Sequence, residues 1–248
     1  MSFGYLRSLL ITDPIIIVTT AVMGIISLAA SVVESNGRVQ HRISSIWSRM
    51  LLRISGVKVI IEGLDKIDPK GSYVFVSNHS SFMDTPVALA YIPVQFRFLA
   101  KKGLFHIPLL GTHLKRAGHL AVVKDDPRAS LKSMSDAARI IGERGISVLL
   151  FPEGGRTRDG KLQDFKEGAA YIAIKAGVPA VPIAMLGTRK VLPMGTLQIE
   201  PGTVHLRIAD PIPTHNFTMK DRSQLTQMLR ERILELVGQA APKPQETR

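Results

Sequence analysis

Several short apolar runs with the character of β-strands are spaced along the chain, and amphipathic stretches separate many of them. The strand-like runs are residues 56–63, 72–77, 94–100, 120–123, 147–151, 181–186 and 203–208. Helical spacing of apolar residues occurs at 129–143, 169–176 and 221–237. Strands that alternate with helices predict an α/β domain with a mostly parallel central sheet flanked by helices.

A long apolar run precedes this domain. Residues 14–33 read PIIIVTTAVMGIISLAASVV and carry no charge. A helix of that length is about 30 Å long, close to the thickness of one hydrocarbon core. The run therefore predicts a membrane-inserted helix that spans the bilayer or dips into one leaflet. Arg7 before the run and the small residues at its end also fit a signal peptide, and a buried core helix is a third interpretation.

The stretch 38–54 predicts an amphipathic helix at the membrane interface. Apolar positions fall on one helical face: Val39, Ile43, Ile46, Trp47, Met50 and Ile54. Four arginines cluster beside that face: Arg38, Arg42, Arg49 and Arg53. Such a helix has affinity for anionic headgroups, although a surface helix docked on the domain fits the same pattern. Because four arginines follow the apolar run and one precedes it, we expect the domain on the cytoplasmic side.

These patterns divide the chain into three parts. Residues 1–55 are expected to form a membrane-associated helical segment, and residues 56–240 the α/β domain. Residues 241–248, which read PKPQETR at their end, are expected to be a flexible tail.

Composition narrows the class of protein. Of the 248 residues, 45% are hydrophobic and 21% are charged, which excludes a disordered chain. The absence of Cys excludes disulfide scaffolds, Cys-based zinc sites and Cys nucleophiles. A net charge of +12 favours an anionic partner, either nucleic acid or a membrane surface. Aromatic residues make up 6%, which argues against a surface that stacks RNA bases.

The segment NHSSFMD, residues 78–84, directly follows the strand-like run 72–77. Loops after strands are where α/β folds place reactive groups. Ser81 and Asp84 have the spacing of a capping box at the start of a helix. If a loop-to-helix turn brings His79 to Asp84, the carboxylate fixes the imidazole tautomer and the other ring nitrogen can accept a proton from a hydroxyl. The alternative is that Asp84 caps a helix and His79 is an ordinary loop residue.

A second polar cluster, FPEGGRTR at residues 151–158, ends the apolar run 147–151. Glycines permit a close approach of the backbone, and arginines offer forked donors suited to phosphate oxygens. The segment lacks the Gly-Lys-Ser/Thr ending of a P-loop. A hairpin turn with solvated charges is the alternative interpretation.

Two further segments and the remaining histidines give weaker evidence of a functional site. Residues 118–124 form a strand closed by Lys124, and residues 178–183 form a strand flanked by prolines. The other histidines show no metal-ligand spacing such as HExxH, so no zinc site is expected. These histidines are His41, His106, His113, His119, His205 and His215.

Taken together, the four segments resemble the glycerolipid acyltransferase family, and within it the 1-acylglycerol-3-phosphate (lysophosphatidic acid) acyltransferases. His79 and Asp84 match the family's HxxxxD block, and FPEGGRT matches its FPEGTRS block. Residues 118–124 and 178–182 match the second and the last blocks. The resemblance covers roughly residues 55–215, and HxxxxD combined with FPEG-x-R at this distance is a specific signature.

The resemblance implies an acyl transfer that needs no cofactor and no metal. The acyl group would pass from a thioester, acyl-ACP or acyl-CoA, to the 2-hydroxyl of lysophosphatidate, making phosphatidate. His79 would be the general base and Asp84 its orienting partner. Glu153 and Arg156 would bind or position the glycerol phosphate, with Gly154 shaping the turn.

Two lysines complete the substrate-binding residues that the resemblance implies. Lys101 is one, and Lys124 stands where the family commonly has Arg, so it would meet phosphate as a point charge. The implied partners are the thioester donor, lysophosphatidate and anionic membrane lipids, without nucleic acid. The implied location is the cytoplasmic face of the inner membrane.

Two departures from the family pattern leave the acceptor open. Gly155 replaces the usual Thr of the third block, and Gly103 replaces a common Glu. Glycerol-3-phosphate, a lyso-ornithine lipid or another lysophospholipid are therefore alternative acceptors. A non-catalytic basic membrane-surface protein is a further alternative, but it leaves the HxxxxD and FPEG-x-R residues unexplained. A hydrolase using Ser80 or Ser81 would lack the Gly-x-Ser-x-Gly elbow.

Overall fold

The chain folds around one seven-stranded sheet, in a computed structural model that describes residues 6–34, 36–123, 126–157, 159–196 and 198–238. The strands are β1 (Val57–Glu62), β2 (Val74–Ser77), β3 (Phe96–Lys101), β4 (Leu120–Val122), β5 (Ser147–Leu150), β6 (Ala180–Leu186) and β7 (Gly202–Ile208). Their order is β1-β7-β6-β2-β5-β3-β4. Neighbours run parallel except β6 and β7. The predicted mostly parallel sheet is confirmed.

The helices lie close to their predicted positions. They are α1 (Asp13–Val33), α2 (Arg38–Ile54), α3 (Asp84–Tyr91), α4 (Leu110–Arg116), α5 (Pro127–Arg144), α6 (Gly168–Ala176), α7 (Thr188–Val191) and α8 (Arg222–Gly238). A π-helical turn, Ser8–Thr12, leads into α1, and a 3-10 helix, Lys102–His106, follows β3. Gly145 ends α5 with a φ of 61°, a left-handed conformation that glycine adopts without strain.

Helices cover both faces of the sheet. On one face α2 and α3 pack over a core that includes Phe75 and Phe96, and on the other α5, α6 and α8 pack over Val74 and Val76. Residues 74–76 alternate between the two cores because successive side chains of a strand point to opposite sides. The sheet is therefore the middle layer of three. The helices cover its two faces, and the loops that follow the strands lie at its uncovered edge.

The N-terminal apolar helix is present. Together with the π-helical turn it runs over Ser8–Val33, which is long and apolar enough to cross a membrane. Its apolar side chains point outward, with Ile17 at 67% and Ile25 at 63% exposure. A core helix would bury such residues, so the core-helix interpretation does not fit this structure.

α1 and α2 form an N-terminal hairpin whose interior is polar. Its buried side chains are Ser27, Ser31, Gln40, His41, Ser44 and Ser48. Trp47 Nε1 donates a hydrogen bond to Thr20 Oγ1 at 3.0 Å, which ties the two helices together. Only part of the predicted apolar face of α2 packs against the domain, because Ile46 and Met50 are exposed. The face that packs inward is mainly the polar one, although Leu51 and Leu52 join the core that contains Phe75 and Phe96.

In addition to Leu51 and Leu52, polar side chains connect the hairpin to the α/β domain. The His113 ring, on α4, lies between the two helices, with Nδ1 3.0 Å from Ser27 Oγ and Nε2 3.4 Å from Ser44 Oγ. The Arg97 side chain, 1% exposed, donates to the Asn36 carbonyl in the turn between α1 and α2 at 3.0 Å. Gly37 in that turn has a φ of 75°, and a Cβ there would clash with the Ala117 carbonyl oxygen.

Candidate active site

Polar loops converge at the carboxyl ends of three adjacent strands. β2 lies between β5 and β6 and runs parallel to both, so the loops after these strands share one edge of the sheet. They carry His79, the FPEGGRT segment and the Gly187 turn into α7. This edge is where parallel α/β sheets bind ligands.

The structure brings His79 and Asp84 together. His79 Nδ1 lies 2.8 Å from Asp84 Oδ2, and the same oxygen accepts hydrogen bonds from the backbone N–H groups of Ser80 at 2.8 Å and Ser81 at 2.9 Å. The Asp84 side chain is completely buried, whereas that of His79 keeps 18% of its surface exposed. A carboxylate only accepts, so Nδ1 carries the hydrogen and Nε2 is the nitrogen left to accept a proton.

The loop-to-helix turn explains this geometry. Residues 78–83 leave β2 as a loop, and Asp84 is the first residue of α3, so the two side chains need not follow helical spacing. Asp84 reaches back to the Ser81 N–H as in a capping box, but Ser81 Oγ accepts from Met83 N instead of Asp84 N. The predicted capping box is thus half formed.

The serines beside His79 are engaged elsewhere. Ser81 Oγ donates to the Leu192 carbonyl at 2.8 Å, and Ser80 Oγ lies 3.2 Å from Thr188 Oγ1. Both serines are buried, Ser81 completely. A nucleophile must present its oxygen to the base and to the substrate, so this arrangement gives no support to the hydrolase interpretation.

The His79 ring is held between its carboxylate and an aromatic side chain. It stacks on Phe151 with ring centroids 3.9 Å apart and planes 12° apart. Phe98 lies beyond Phe151, with centroids 6.3 Å apart. The stacking confines the imidazole to one orientation. This contact could not be predicted from the sequence, because Phe151 looks there like the ordinary apolar end of a strand.

Glu153 joins the FPEGGRT loop to the His79 loop. One of its carboxylate oxygens accepts from His79 N at 2.7 Å and the other from Gln163 N at 2.9 Å. Burial raises the pKa of Glu153, while these two backbone hydrogen bonds act in the opposite direction. Gly154 turns the chain with a φ of 73°. The Thr157 N–H, at the end of the same segment, donates to the His79 carbonyl at 3.1 Å.

The other predicted substrate-binding residues are spread more widely. The Arg156 guanidinium lies 3.6 Å from the centroid of the Phe82 ring, and its Nη1 is buried without a hydrogen-bond partner among the described residues. Lys101 is exposed at the end of β3, which is separated from β2 by β5. Lys124 lies outside the described residues. The structure therefore gathers Glu153 and Gly154 beside His79, with Arg156 on the neighbouring rim.

A cavity of about 440 Å³ opens beside the dyad. Its lining includes His79 and Glu153 and three cations, Lys161, Arg189 and Lys190. These three cations were not predicted from the sequence. One feature of the sequence could have identified Arg189 and Lys190: they directly follow a buried strand, β6, at the edge where the other polar loops lie. The described residues contain no cluster of three or more side chains suited to hold a metal ion.

Comparison with known proteins places these features in a family. Residues 58–186 match the family model described as Acyltransferase, just over half of the chain. The chain is 36% identical over 174 residues to a chloroplastic 1-acyl-sn-glycerol-3-phosphate acyltransferase of Arabidopsis thaliana, covering 69% of this chain and 48% of that one. It is 29% identical over 188 residues to human 1-acyl-sn-glycerol-3-phosphate acyltransferase alpha, covering 75% and 66%.

A solved structure has the same fold. The crystal structure of the 1-acyl-sn-glycerophosphate (LPA) acyltransferase of Thermotoga maritima matches with a TM-score of 0.78 and 24% identity, covering 97% of this chain and 100% of that one. The chain spans about half to two thirds of the length of the curated plant and human relatives. The matched region runs from β1 to the end of β6, so it includes His79, Asp84 and the FPEGGRT segment and ends just before the Gly187 turn. The chain belongs to the acyltransferase family.

Proposed function

We propose that the protein transfers a fatty acyl group from a thioester, acyl-ACP or acyl-CoA, to the 2-hydroxyl of 1-acylglycerol-3-phosphate, making phosphatidate. The proposal is carried by the geometry of the dyad. The buried Asp84 carboxylate lies 2.8 Å from Nδ1 of His79, and His79 is partly exposed and lines a cavity. The acceptor is argued from relatives that carry this activity in their names.

The dyad supports a direct transfer without an acyl-enzyme. Nε2 of His79 takes the proton from the 2-hydroxyl as its oxygen attacks the thioester carbonyl carbon. The C–S bond then breaks, and the departing thiolate receives the proton from His79. Asp84 holds the ring and stabilises the imidazolium between these two proton transfers. The products are the new oxygen ester and the free thiol of the donor.

Phe151 and Glu153 position the base in this proposal. Phe151 fixes the plane of the imidazole, and Glu153 fixes the backbone of His79 through the 2.7 Å bond to its N–H. Because both Glu153 oxygens accept backbone hydrogen bonds, we assign this carboxylate to holding the loops together. It would act on the glycerol phosphate indirectly, through the position of His79.

Arg156, Lys101 and Lys124 are the proposed contacts to the acceptor phosphate. Arg156 offers a forked donor on the rim of the site, and its guanidinium is steadied by the Phe82 ring. Lys101 is the last residue of β3. The helix that follows this strand, α4, contacts the N-terminal hairpin, so Lys101 lies on the side of the site next to the hairpin. A lipid that comes from a membrane around the hairpin would meet this side first.

We also propose that residues 1–55 attach the protein to the cytoplasmic face of the inner membrane, with residues 56–240 forming the acyltransferase domain. The outward-facing apolar side chains of α1 and the exposed Ile46 and Met50 of α2 support this attachment. The loop before α4 extends the apolar surface. Leu109 is 66% exposed at a φ of 64°, in a tight turn where Leu110 N donates to the Pro108 carbonyl. A strained backbone that presents an exposed leucine fits insertion among lipids.

The test follows thiol release from acyl-ACP and acyl-CoA by purified protein in lipid vesicles, with and without 1-acylglycerol-3-phosphate. We expect release that depends on the acceptor and yields phosphatidate, and we expect His79→Ala to lower it at least about 1,000-fold. His215→Ala, at an exposed histidine, is the matched control and should match the wild type. Release without any acceptor would instead indicate a thioesterase, and acylation of a different lipid only would overturn the acceptor assignment.

A further inference from the structure

Basic side chains lie on both sides of His79 along the sheet edge. In the strand order β6-β2-β5-β3, His79 follows β2, Lys101 ends β3, and Arg189 and Lys190 follow β6. The β3 side leads through α4 to the N-terminal hairpin, since His113 of α4 contacts Ser27 and Ser44. The β6 side leads to α8, whose Val237 lines the cavity. Lys101 and the pair Arg189 and Lys190 therefore lie at different places along the sheet edge, with the His79 loop between them.

The cavity beside His79 is lined by the loops after β2, β5 and β6 and is rich in cations. Among its described lining residues, Lys161, Arg189 and Lys190 are the Lys and Arg side chains and Glu153 is the carboxylate. Both oxygens of Glu153 already accept hydrogen bonds from backbone N–H groups. The three cations outnumber the one carboxylate among these residues, so the lining has a net positive charge that suits an anion such as a phosphate.

Arg189 is built into the wall of this cavity. Its Nη1 donates to the Asp159 carbonyl at 2.8 Å, which links the start of α7 to the loop after β5. Gly160 has a φ of 82°, and an added Cβ there would approach Arg189 Nη1 to 2.9 Å. The glycine thus provides the space in which the guanidinium lies. This contact fixes the distance between the Lys161 loop and the Lys190 helix.

An apolar wall completes the cavity. Five side chains form it: Leu162, Met185, Leu186, Pro193 and Val237. A ligand suited to such a cavity has an uncharged arm that reaches toward His79 and a phosphate at its other end. A phosphopantetheine thioester has this constitution, and it is common to acyl-ACP and acyl-CoA.

We propose that Lys161, Arg189 and Lys190 bind the phosphate of the phosphopantetheine that carries the acyl thioester. This inference rests on the proposed function and assigns its two substrates to opposite sides of His79. Both substrates carry phosphate, and like charges held close together repel, so separate groups of cations are required. The lipid acceptor takes the side next to the hairpin, and the water-soluble donor takes the β6 side.

The test compares a double variant, Lys161→Gln with Lys190→Gln, with the wild type; Arg189 is kept because it also holds the loop. We expect the KM for the acyl-phosphopantetheine thioester to rise about tenfold, since the loss of each exposed lysine weakens binding of the phosphate about threefold. The KM for lysophosphatidate and kcat should stay within about twofold. The matched control, Lys58→Gln with Lys132→Gln, removes two exposed lysines elsewhere and should change nothing.

Three further acyl donors show which part of the donor the cations bind: the phosphate of phosphopantetheine, the nucleotide phosphates of acyl-CoA or the surface of the carrier protein. Acyl-pantetheine lacks the phosphate, so the variant and the wild type should use it equally well. Acyl-CoA and acyl-ACP should show the same loss as acyl-phosphopantetheine. A loss confined to acyl-CoA would assign the cations to the nucleotide phosphates, and one confined to acyl-ACP would assign them to the carrier surface; either result overturns the proposal.

The remaining outcomes separate this inference from the proposed function. An increase in the KM for lysophosphatidate instead of the donor would overturn the inference and assign the cations to the acceptor. A wild type that makes phosphatidate with a donor KM unaffected by the variant would overturn the inference alone. A wild type that transfers no acyl group from any donor would overturn the proposed function. In that case, binding of free phosphopantetheine by His79→Ala protein and its double variant still tests the cation site.

Discussion

The N-terminal hairpin and the α/β domain distribute their side chains in opposite ways. In the domain, Phe75 and Leu149 are fully buried in an apolar core. In the hairpin, Ser27 and Ser48 are buried and Ile25 is exposed. In water, burial of apolar surface stabilises a fold, whereas in lipid apolar side chains gain little from burial, and small or polar residues hold helices together. The contrast is what the membrane attachment proposed for the hairpin would require.

Besides the apolar contacts of Leu51 and Leu52, buried polar groups join the two regions. Arg97 is buried at the junction, where burial lowers its pKa to about 10, and it donates to the Asn36 and Phe96 carbonyls. His113 contacts a serine from each helix. A polar junction of this kind requires defined geometry, because each unpaired polar group costs free energy when buried. The hairpin is therefore held at a fixed position relative to the site.

The largest expected effect comes from removing an apolar side chain of the domain core. Phe75→Ala should lower the free energy of unfolding by about 3–5 kcal/mol, because Phe75 is fully buried against Phe96. Ile25→Ala, the matched change on the hairpin surface, should alter it by less than about 0.5 kcal/mol. Urea unfolding in detergent micelles measures both. Similar losses for the two variants would contradict the contrast between the regions.

A smaller effect is expected at the turn of the hairpin. Gly37→Ala should destabilise the protein by about 2–4 kcal/mol, because the methyl group would clash with the Ala117 carbonyl and the positive φ is costly for alanine. Gly103→Ala is the control, since nothing lies within 4 Å of its added Cβ. Limited proteolysis between α1 and α2 reports release of the hairpin. Equal protection of the two variants would show that the turn does not depend on this fit.

The smallest effect is expected at His113, and it depends on pH. Burial lowers the pKa of His113, so the folded protein binds this proton less readily than the unfolded chain. Its contribution to stability is therefore complete above pH about 6.5 and is lost as the pH falls through that value toward the folded pKa. We expect the thermal midpoint of the wild type in detergent to fall between pH 7.5 and pH 5.5.

The His113→Asn variant isolates this contribution. Asparagine keeps a donor and an acceptor for the two serines but does not titrate, so the fall in midpoint should be smaller than in the wild type. His119, whose pKa is also lowered by burial, continues to contribute in both proteins. Identical falls in the two proteins would assign the pH dependence to other groups.

Local patterns predicted the elements well. The helix expected at 38–54 has those bounds, and the strand-to-loop step before His79 placed the imidazole at the sheet edge. The spacing of His79 and Asp84 left both a dyad and a plain helix cap open, and the family resemblance implied the dyad that the loop-to-helix turn forms. These features depend on residues close together in the chain, where periodicity and turn geometry decide the outcome.

Other features could not be predicted from local patterns. The amphipathic pattern of α2 showed two faces but not which face would be buried, because periodicity does not identify the solvent. The cavity cations Lys161 and Arg189 are distant in sequence and meet through the order of the strands. The stacking of His79 on Phe151 likewise follows from the pairing of β2 with β5.

The pairing of β1 with β7 has a consequence for how the chain is made. β1 is one of the two edge strands and pairs with β7, with Val57 opposite Gly202, so its partner leaves the ribosome roughly 145 residues later. At about 5–20 residues per second this delay is on the order of ten seconds. The N-terminal helices are complete throughout that interval, while the sheet is still unfinished. Translation itself would therefore give the hairpin time to reach a bilayer before the α/β domain closes beside it.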